Sequence, residues 1–146
     1  CRDLGLLYVE QGQLPTAEYV YREGLERLQE IGLEDDLMAA DLHYYLAELA
    51  LEQGNNLQAE RQYLKARDIY EVTGGRDGLK MAKTLHGLAR ALAAKEQWSR
   101  AQAHVERALE IYAQRVEPSN PRISGARTLR EEARARVARG STNGRR

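Results

Sequence analysis

The amino-acid sequence repeats itself with a period of 42 residues, and this period constrains the fold more than any other feature. Three similar stretches end in an alanine, at Ala17, Ala59 and Ala101. Further positions that keep the same register are Leu4, Leu46 and Leu88, then Tyr21 and Tyr63, then Gly24, Ala66 and Ala108. A fixed period of this length is typical of repeat proteins, in which each unit buries its apolar face against its neighbours.

Each unit is predicted to be a pair of helices. In the second unit, apolar residues at helical spacing indicate a first helix over residues 36–53, which Gly54 ends. A second helix is expected over residues 57–72. Small residues such as Ala47 and Ala59 would let two helices approach to the axis spacing of about 8–10 Å found in packed pairs. Asp35 or Asp36 is expected to cap the first helix, because an aspartate there accepts hydrogen bonds from free backbone amides.

The expected architecture is all-α, a right-handed α-solenoid of three helical pairs and a capping helix, with about seven helices. The pairs are expected over about residues 1–35, 36–77 and 78–119, and the capping helix over residues 122–139. Together they are predicted to form a single domain over residues 1–139, followed by a flexible basic tail over residues 140–146. The last helix is more polar than the others, as a terminal repeat should be.

The second unit resembles a tetratricopeptide repeat. The matching positions are Leu46, Ala47, Ala50, the turn glycine Gly54, and Ala59, Tyr63 and Ala66. The third unit departs from the pattern, since it has Glu96 in place of the turn glycine and Val105 in place of the aromatic residue. The usual unit has 34 residues, so the 42-residue units are similar to those of the kinesin light chain class and of bacterial regulators that contain such repeats.

This resemblance implies a protein–protein interaction module, part of a larger adaptor or regulatory protein, that binds a peptide or partner segment in a concave groove. The first helix of each pair lines that groove in the family. Transferred by register, the groove residues are Arg2, Leu6, Tyr44, Glu48, Leu51, His86 and Arg90. Tyr44 is the expected anchor, because tyrosine combines a large contact surface with few rotamers.

Motifs for catalysis or for binding a cofactor do not occur at the required spacings. His43, His86 and His104 include no pair at the i, i+4 spacing that places two imidazoles on one helix face. The glycine-rich stretch over residues 74–78 lacks the lysine of a phosphate-binding loop. We therefore expect no enzyme activity, no cofactor and no metal.

Charge is unevenly distributed, although the formal net charge is zero. Residues 122–146 carry eight arginines and two glutamates, a net charge of +6, which leaves −6 on residues 1–121. A basic segment can bind nucleic acid, so a nucleic-acid-associated helical repeat that uses its basic last helix is the alternative function. The other interpretation is a solvated last helix that keeps the array soluble, and we favour it because basic segments are common.

Three further expectations concern the surroundings of the chain. No apolar run approaches the roughly 18 residues of a membrane span, so no membrane association is expected. Cys1 is the single cysteine and cannot form an internal disulfide, which suits a reducing compartment such as the cytoplasm. An apolar surface at the outer end of the first helical pair would favour a weak homodimer.

Overall fold

The computed structural model of the chain describes residues 1–75 and 78–143, and within them it contains seven α-helices and no strand. The helices are α1 (Arg2–Glu10), α2 (Leu14–Glu30), α3 (Leu37–Glu52), α4 (Asn56–Val72), α5 (Leu79–Ala94), α6 (Trp98–Arg115) and α7 (Pro121–Asn143). The prediction of an all-α fold with three helical pairs and a last helix is confirmed. The two helices predicted over residues 36–53 and 57–72 agree with α3 and α4 to within one residue at each end.

Contacts between residues divide the chain into two compact units, Cys1–Arg76 and Asp77–Arg146. In the first unit, α1 packs on α2, α2 on α3, and α3 on α4. In the second unit, α6 packs on α5, and α7 packs on α6 and also meets α5. The single domain over residues 1–139 stays a prediction.

Small residues at equivalent repeat positions allow the helices of each pair to touch. Ala17, Ala59 and Ala101 have no exposed surface, and the same holds for Ala47 and Ala89 on the facing helices. In the first repeat, Gly5 occupies the position equivalent to Ala47 of the second repeat. Even the methyl group of an alanine would be too large at Gly5. A Cβ atom built on Gly5 would lie 2.0 Å from Cε1 of Tyr21. The ring of Tyr21 therefore rests directly on the backbone of α1.

The turn between the two helices of a pair has the same geometry in all three repeats. Gly12, Gly54 and Glu96 all adopt a left-handed backbone conformation, with φ angles of 72°, 76° and 59°. In each turn the following amide donates a hydrogen bond back into the helix: Gln13 to Tyr8, Asn55 to Ala50 and Gln97 to Leu92, at 2.8–2.9 Å. This is the Schellman arrangement, which satisfies carbonyls left over at a helix end. Glu96 adopts it although its sequence lacks the glycine.

Side-chain caps begin several of the helices. The carboxylate of Asp36 accepts a hydrogen bond of 2.8 Å from the amide of Met38, which confirms the predicted cap of α3. Asn55 accepts one of 3.3 Å from the amide of Gln58 at the start of α4. Asn120 accepts one of 3.0 Å from the amide of Arg122 at the start of α7.

The last helix is longer than predicted. It continues to Asn143, so residues 140–143, which were expected to belong to the tail, are helical. The reason is that Gly140 costs only about 1 kcal/mol relative to alanine inside a helix, and the serine, threonine and asparagine that follow it cost less, so none of these residues ends the helix. The remaining tail residues, 144–146, lie outside the described residues, as do Arg76 and Asp77 of the glycine-rich stretch over residues 74–78.

The third turn leads to a prediction about stability. Replacing Glu96 by glycine should stabilise the protein by about 0.5–1 kcal/mol, because glycine adopts the left-handed conformation without the steric cost that other residues incur. Equilibrium urea unfolding of the Glu96→Gly variant measures the change. The matched control is Gly54→Ala, whose added Cβ meets no atom within 4 Å and which should therefore lose about 1 kcal/mol through backbone strain alone. Equal stabilities of Glu96→Gly and the wild type would contradict this account of the turn.

Candidate functional site

The predicted groove residues divide between the two units. Those in the first unit lie on α1 and α3, and they are Arg2, Leu6, Tyr44, Glu48 and Leu51. Arg2 is exposed and the other four are half-buried. Those in the second unit are His86, which is half-buried, and Arg90, which is exposed, one turn apart on α5.

Tyr44 belongs to a cluster of aromatic rings in the first unit. Its ring meets that of Tyr45 edge-on, with 5.3 Å between the ring centroids, and that of Tyr63 at 6.1 Å. Such pairs contribute about 0.5–1.5 kcal/mol beyond the burial of their surface. These contacts hold the Tyr44 ring in one orientation while part of it remains accessible to solvent.

Tyr21 is the fully buried ring on which this cluster rests. Its ring stacks on Tyr45, with 5.5 Å between centroids and 19° between planes. Its hydroxyl is buried and has no hydrogen-bond partner among the described residues. Burial, together with the nearby Tyr45, raises the pKa of Tyr21 to about 12. The phenol therefore stays neutral and acts as packing material that supports Tyr45.

Two tyrosines of α4 donate hydrogen bonds to carboxylates of α3. Tyr63 donates to Oε1 of Glu48, and Tyr70 donates to Oδ1 of Asp41 at 2.6 Å. The two bonds lie about 10 Å apart along α3, two helical turns at 1.5 Å per residue. Burial raises the pKa of Tyr70 far above its ordinary value, and the hydrogen bond to Asp41 raises it further. Both carboxylates are therefore held in fixed positions on either side of Tyr44.

Sequence reasoning missed these hydrogen bonds. Asp41 and Glu48 are two turns apart on α3, and Tyr70 and Tyr63 are two turns apart on α4 in the reverse order. The paired helices α3 and α4 run in opposite directions, so residues with equal spacing but reverse order on the two helices face one another. This equal spacing is the signal in the sequence that could have indicated the two hydrogen bonds. It identifies Asp41, Tyr63 and Tyr70 as additional members of the site.

A cleft opens beside Arg2 at the end of the same face. Its volume is about 430 Å³, and its apolar walls include Gly24, Leu28, Ile31, Met38 and Leu42. Arg2 and Asp41 lie at its rim, with 3.8 Å between Nη1 of Arg2 and Oδ2 of Asp41. Arg2 is half exposed and lies closer to Asp3, at 3.0 Å, whereas Asp41 exposes only 13% of its side chain and is held by Tyr70. A long pair with one exposed member contributes little to stability, so Arg2 can move from Asp41 to a group of a partner at small cost.

The apolar surface predicted at the outer end of the first pair is present on α1. Leu4 and Leu7 each expose 47% of their surface, whereas the equivalent Leu46 and Leu49 of the second repeat expose 4% and 3%. Large apolar patches on a surface favour association. The weak homodimer through this surface stays a prediction.

His86 in the second unit is more enclosed than is expected of a residue that lines an open groove. Its ring meets Tyr112 edge-on at 6.2 Å, and a Cβ built on Gly125 of α7 would lie 3.6 Å from its Cε1 atom. Burial is the main cause that lowers the pKa of His86 to about 4, and the positive charges of Arg90 and Arg122 lower it further. His86 is therefore a neutral imidazole at pH 7.

The lowered pKa predicts how stability depends on pH. The unfolded chain takes up a proton on His86 near its ordinary pKa of about 6.5, whereas the folded chain resists protonation down to about pH 4. Stability should therefore fall as the pH decreases from about 6.5 to about 4, by about 3 kcal/mol for this residue. The variant His86→Gln should show a shallower loss in urea unfolding over this range, and Arg122→Gln should raise the pKa of His86 measured by NMR titration. An NMR pKa near 6.5 in the folded protein would contradict the burial of His86.

The family of the chain follows from comparison with known sequences. A model of the tetratricopeptide repeat matches residues 38–114, which is more than half of the chain. The chain belongs to the tetratricopeptide repeat family. Tetratricopeptide repeats generally mediate protein–protein interaction, and they are typically scaffolds without enzyme activity.

A solved structure shares the fold of this tetratricopeptide repeat protein. It is the crystal structure of BtubC (BKLC) from P. vanneervenii, with a TM-score of 0.73 at 22% sequence identity. The match covers 97% of this chain and 62% of that chain. No curated protein matches the sequence. Among the described helices, none combines the length and the apolar character needed to cross a membrane.

Proposed function

We propose that the chain is a protein-interaction module that binds a peptide or partner segment on one face of α1 and α3. This tyrosine face comprises Arg2, Leu6, Tyr44, Glu48 and Leu51. The observation that carries the proposal is the placement of Tyr44, which is half-buried and held by Tyr45 and Tyr63. A side chain that is already ordered loses little conformational entropy when a partner binds, so more of its contact energy becomes affinity.

Charge supports a basic partner for the tyrosine face. The unit Cys1–Arg76 has 7 basic and 15 acidic side chains, a net charge of −8. Asp41 and Glu48 lie one turn on either side of Tyr44 on α3. A segment that places an apolar or aromatic side chain on Tyr44 and a lysine or arginine beside either carboxylate fits this arrangement. Complementary charge also speeds the encounter of the two partners.

The predicted residues of the second unit extend the proposal to α5. His86 and Arg90 occupy the register of Tyr44 and Glu48 in that helix. The exposed guanidinium of Arg90 offers a positive charge and hydrogen bonds, so we expect this unit, taken by itself, to accept an acidic or amide group of a partner, with the enclosed imidazole of His86 behind it.

The nucleic-acid alternative has less support from the contacts of the basic last helix. Arg130, Arg134 and Arg136 are engaged by glutamates at 2.9, 3.0 and 3.8 Å. The guanidinium of Arg136 also lies 5.1 Å from the ring centroid of Trp98. Arginines that already contact carboxylates release fewer counterions from a phosphate backbone, which is the main source of affinity for nucleic acid.

The tyrosine face is tested with peptides selected from a random peptide library on the intact wild-type chain. Tyr44→Ala should weaken the binding of these peptides about tenfold or more, because an ordered aromatic anchor is lost. The matched control is Tyr19→Ala, since Tyr19 lies on α2 with 66% of its surface exposed and outside the tyrosine face. Isothermal titration calorimetry measures the affinities.

The control should bind the selected peptides as the wild type does. Both variants should unfold cooperatively in urea, which shows that any loss of binding is local. The proposal is wrong if the wild type selects no peptide. It is also wrong if the two tyrosine variants bind the selected peptides equally well.

A further inference from the structure

The two units carry opposite charge. The unit Cys1–Arg76 has a net charge of −8, and the unit Asp77–Arg146 has 15 basic and 7 acidic side chains, a net charge of +8. A chain whose total charge is zero has no net repulsion between its copies. The separation of charge therefore favours contacts that join the acidic unit of one copy to the basic unit of another.

A groove between α6 and α7 gives the second unit a site for such a contact. Its volume is about 500 Å³, and Leu109, Val116 and Ile123 contribute to its apolar lining. Arg127, Arg130 and Arg134 follow one another at helical spacing along its α7 side. We refer to this site as the arginine groove. It combines an apolar floor with a row of cations.

The positive charge of the arginine groove is only partly compensated. Arg134 lies 3.0 Å from Glu106, and Arg130 lies 2.9 Å from Glu131. Arg127 is exposed and forms no ion pair with any residue that the structure describes. The groove therefore presents an open guanidinium beside an apolar surface.

The first unit contains an exposed segment with the complementary chemistry. The acidic segment, residues 30–38, joins the end of α2 to the start of α3 and carries four carboxylates and no cation. Glu30, Glu34 and Asp35 are exposed and form no ion pairs within the described part of the chain. Ile31 and Met38 expose 68% and 62% of their surface, which is unusual for large apolar side chains.

One carboxylate of the acidic segment is placed unfavourably for its own unit. Glu30 is the last residue of α2, and the carbonyl end of a helix carries partial negative charge, which repels a carboxylate. A cation brought by a partner relieves this repulsion. The acidic segment therefore gains more binding free energy from a neighbouring arginine than an acidic loop away from a helix end would.

We propose that the arginine groove binds the acidic segment of a second copy of this chain. Glu34 and Asp35 of one copy lie against Arg127 of the next, and the exposed apolar residues of the segment cover the apolar floor of the groove. The two surfaces are different, so the contact is heterologous and leaves one groove and one segment free at the ends of each assembly. Copies therefore add in series, in addition to any partner held by the tyrosine face.

A second copy fits this groove better than a nucleic acid does. Glu106 and Glu110 line the α6 side of the groove and repel any anion placed there, so the choice between the two ligands depends on the apolar floor. A nucleic-acid backbone leaves the apolar floor uncovered, whereas Ile31 or Leu33 of the acidic segment buries it.

Sedimentation velocity of the full chain tests the proposal. The wild type should associate as its concentration is raised at about 0.1 M salt, and the association should be lost at about 1 M salt, where the screening length falls from about 10 Å to about 3 Å. Arg127→Glu and Asp35→Lys should each weaken the association about tenfold or more, because each places like charges together. Arg122→Glu is the matched control, since Arg122 has the same charge on the same helix and lies outside the groove. It should leave the association close to that of the wild type.

An equimolar mixture of Arg127→Glu and Asp35→Lys should associate although neither variant does so alone, because each supplies the surface that the other lacks. The proposal is overturned if the wild type stays monomeric at low salt, or if the mixture stays monomeric. It is also overturned if Arg122→Glu weakens association as much as Arg127→Glu, which would indicate that net charge alone drives association.

Two other results would assign the surfaces differently and overturn the proposal. Association that Arg127→Glu leaves unchanged would indicate that copies meet through the apolar surface of α1. Salt-dependent binding of a duplex oligonucleotide that is lost in Arg127→Glu would assign the groove to nucleic acid.

Discussion

Close contact between a ring and a bare backbone is the interaction on which the rest of the first unit depends. Tyr21 lies against Gly5 so closely that an added Cβ would stand 2.0 Å from the ring. Tyr21 in turn supports Tyr45, and Tyr45 supports Tyr44. The small residue therefore determines how far α1 and α2 approach and, through the stacked rings, where Tyr44 stands on α3. Packing and the proposed binding face share one cause.

The repeat fold could be predicted from the sequence because the small residues that recur every 42 positions are the ones buried between paired helices. Ala17, Ala59 and Ala101 are fully buried, as expected of equivalent positions in a repeat. The turn at Glu96 shows why the period was more informative than any single residue. The helices on both sides of it impose the left-handed conformation even without glycine. The predicted end of the last helix, at residue 139, lies before the observed end at Asn143. Nothing in the sequence beyond Gly140 distinguishes a frayed helix from a continued one.

The candidate site was less predictable than the fold. Register predicts Tyr44 and Glu48 as groove residues, but it could not show that Tyr63 donates its hydroxyl to Glu48, because that bond depends on how α3 and α4 are aligned against each other. His86 occupies the predicted register, yet Gly125 lets α7 approach its ring and enclose it. The sequence showed opposite charges on residues 1–121 and 122–146, but the larger values of −8 and +8 followed only from the boundary between the two units.

A double-mutant cycle between Gly5 and Tyr21 tests the central claim most directly. The free energy of urea unfolding is measured for the wild type, Gly5→Ala, Tyr21→Leu and the double variant. Direct contact predicts that Gly5→Ala destabilises the wild type by about 1–3 kcal/mol and costs much less when the tyrosine ring is absent, a coupling of about 1–3 kcal/mol. Additivity of the two changes to within about 0.5 kcal/mol would contradict it.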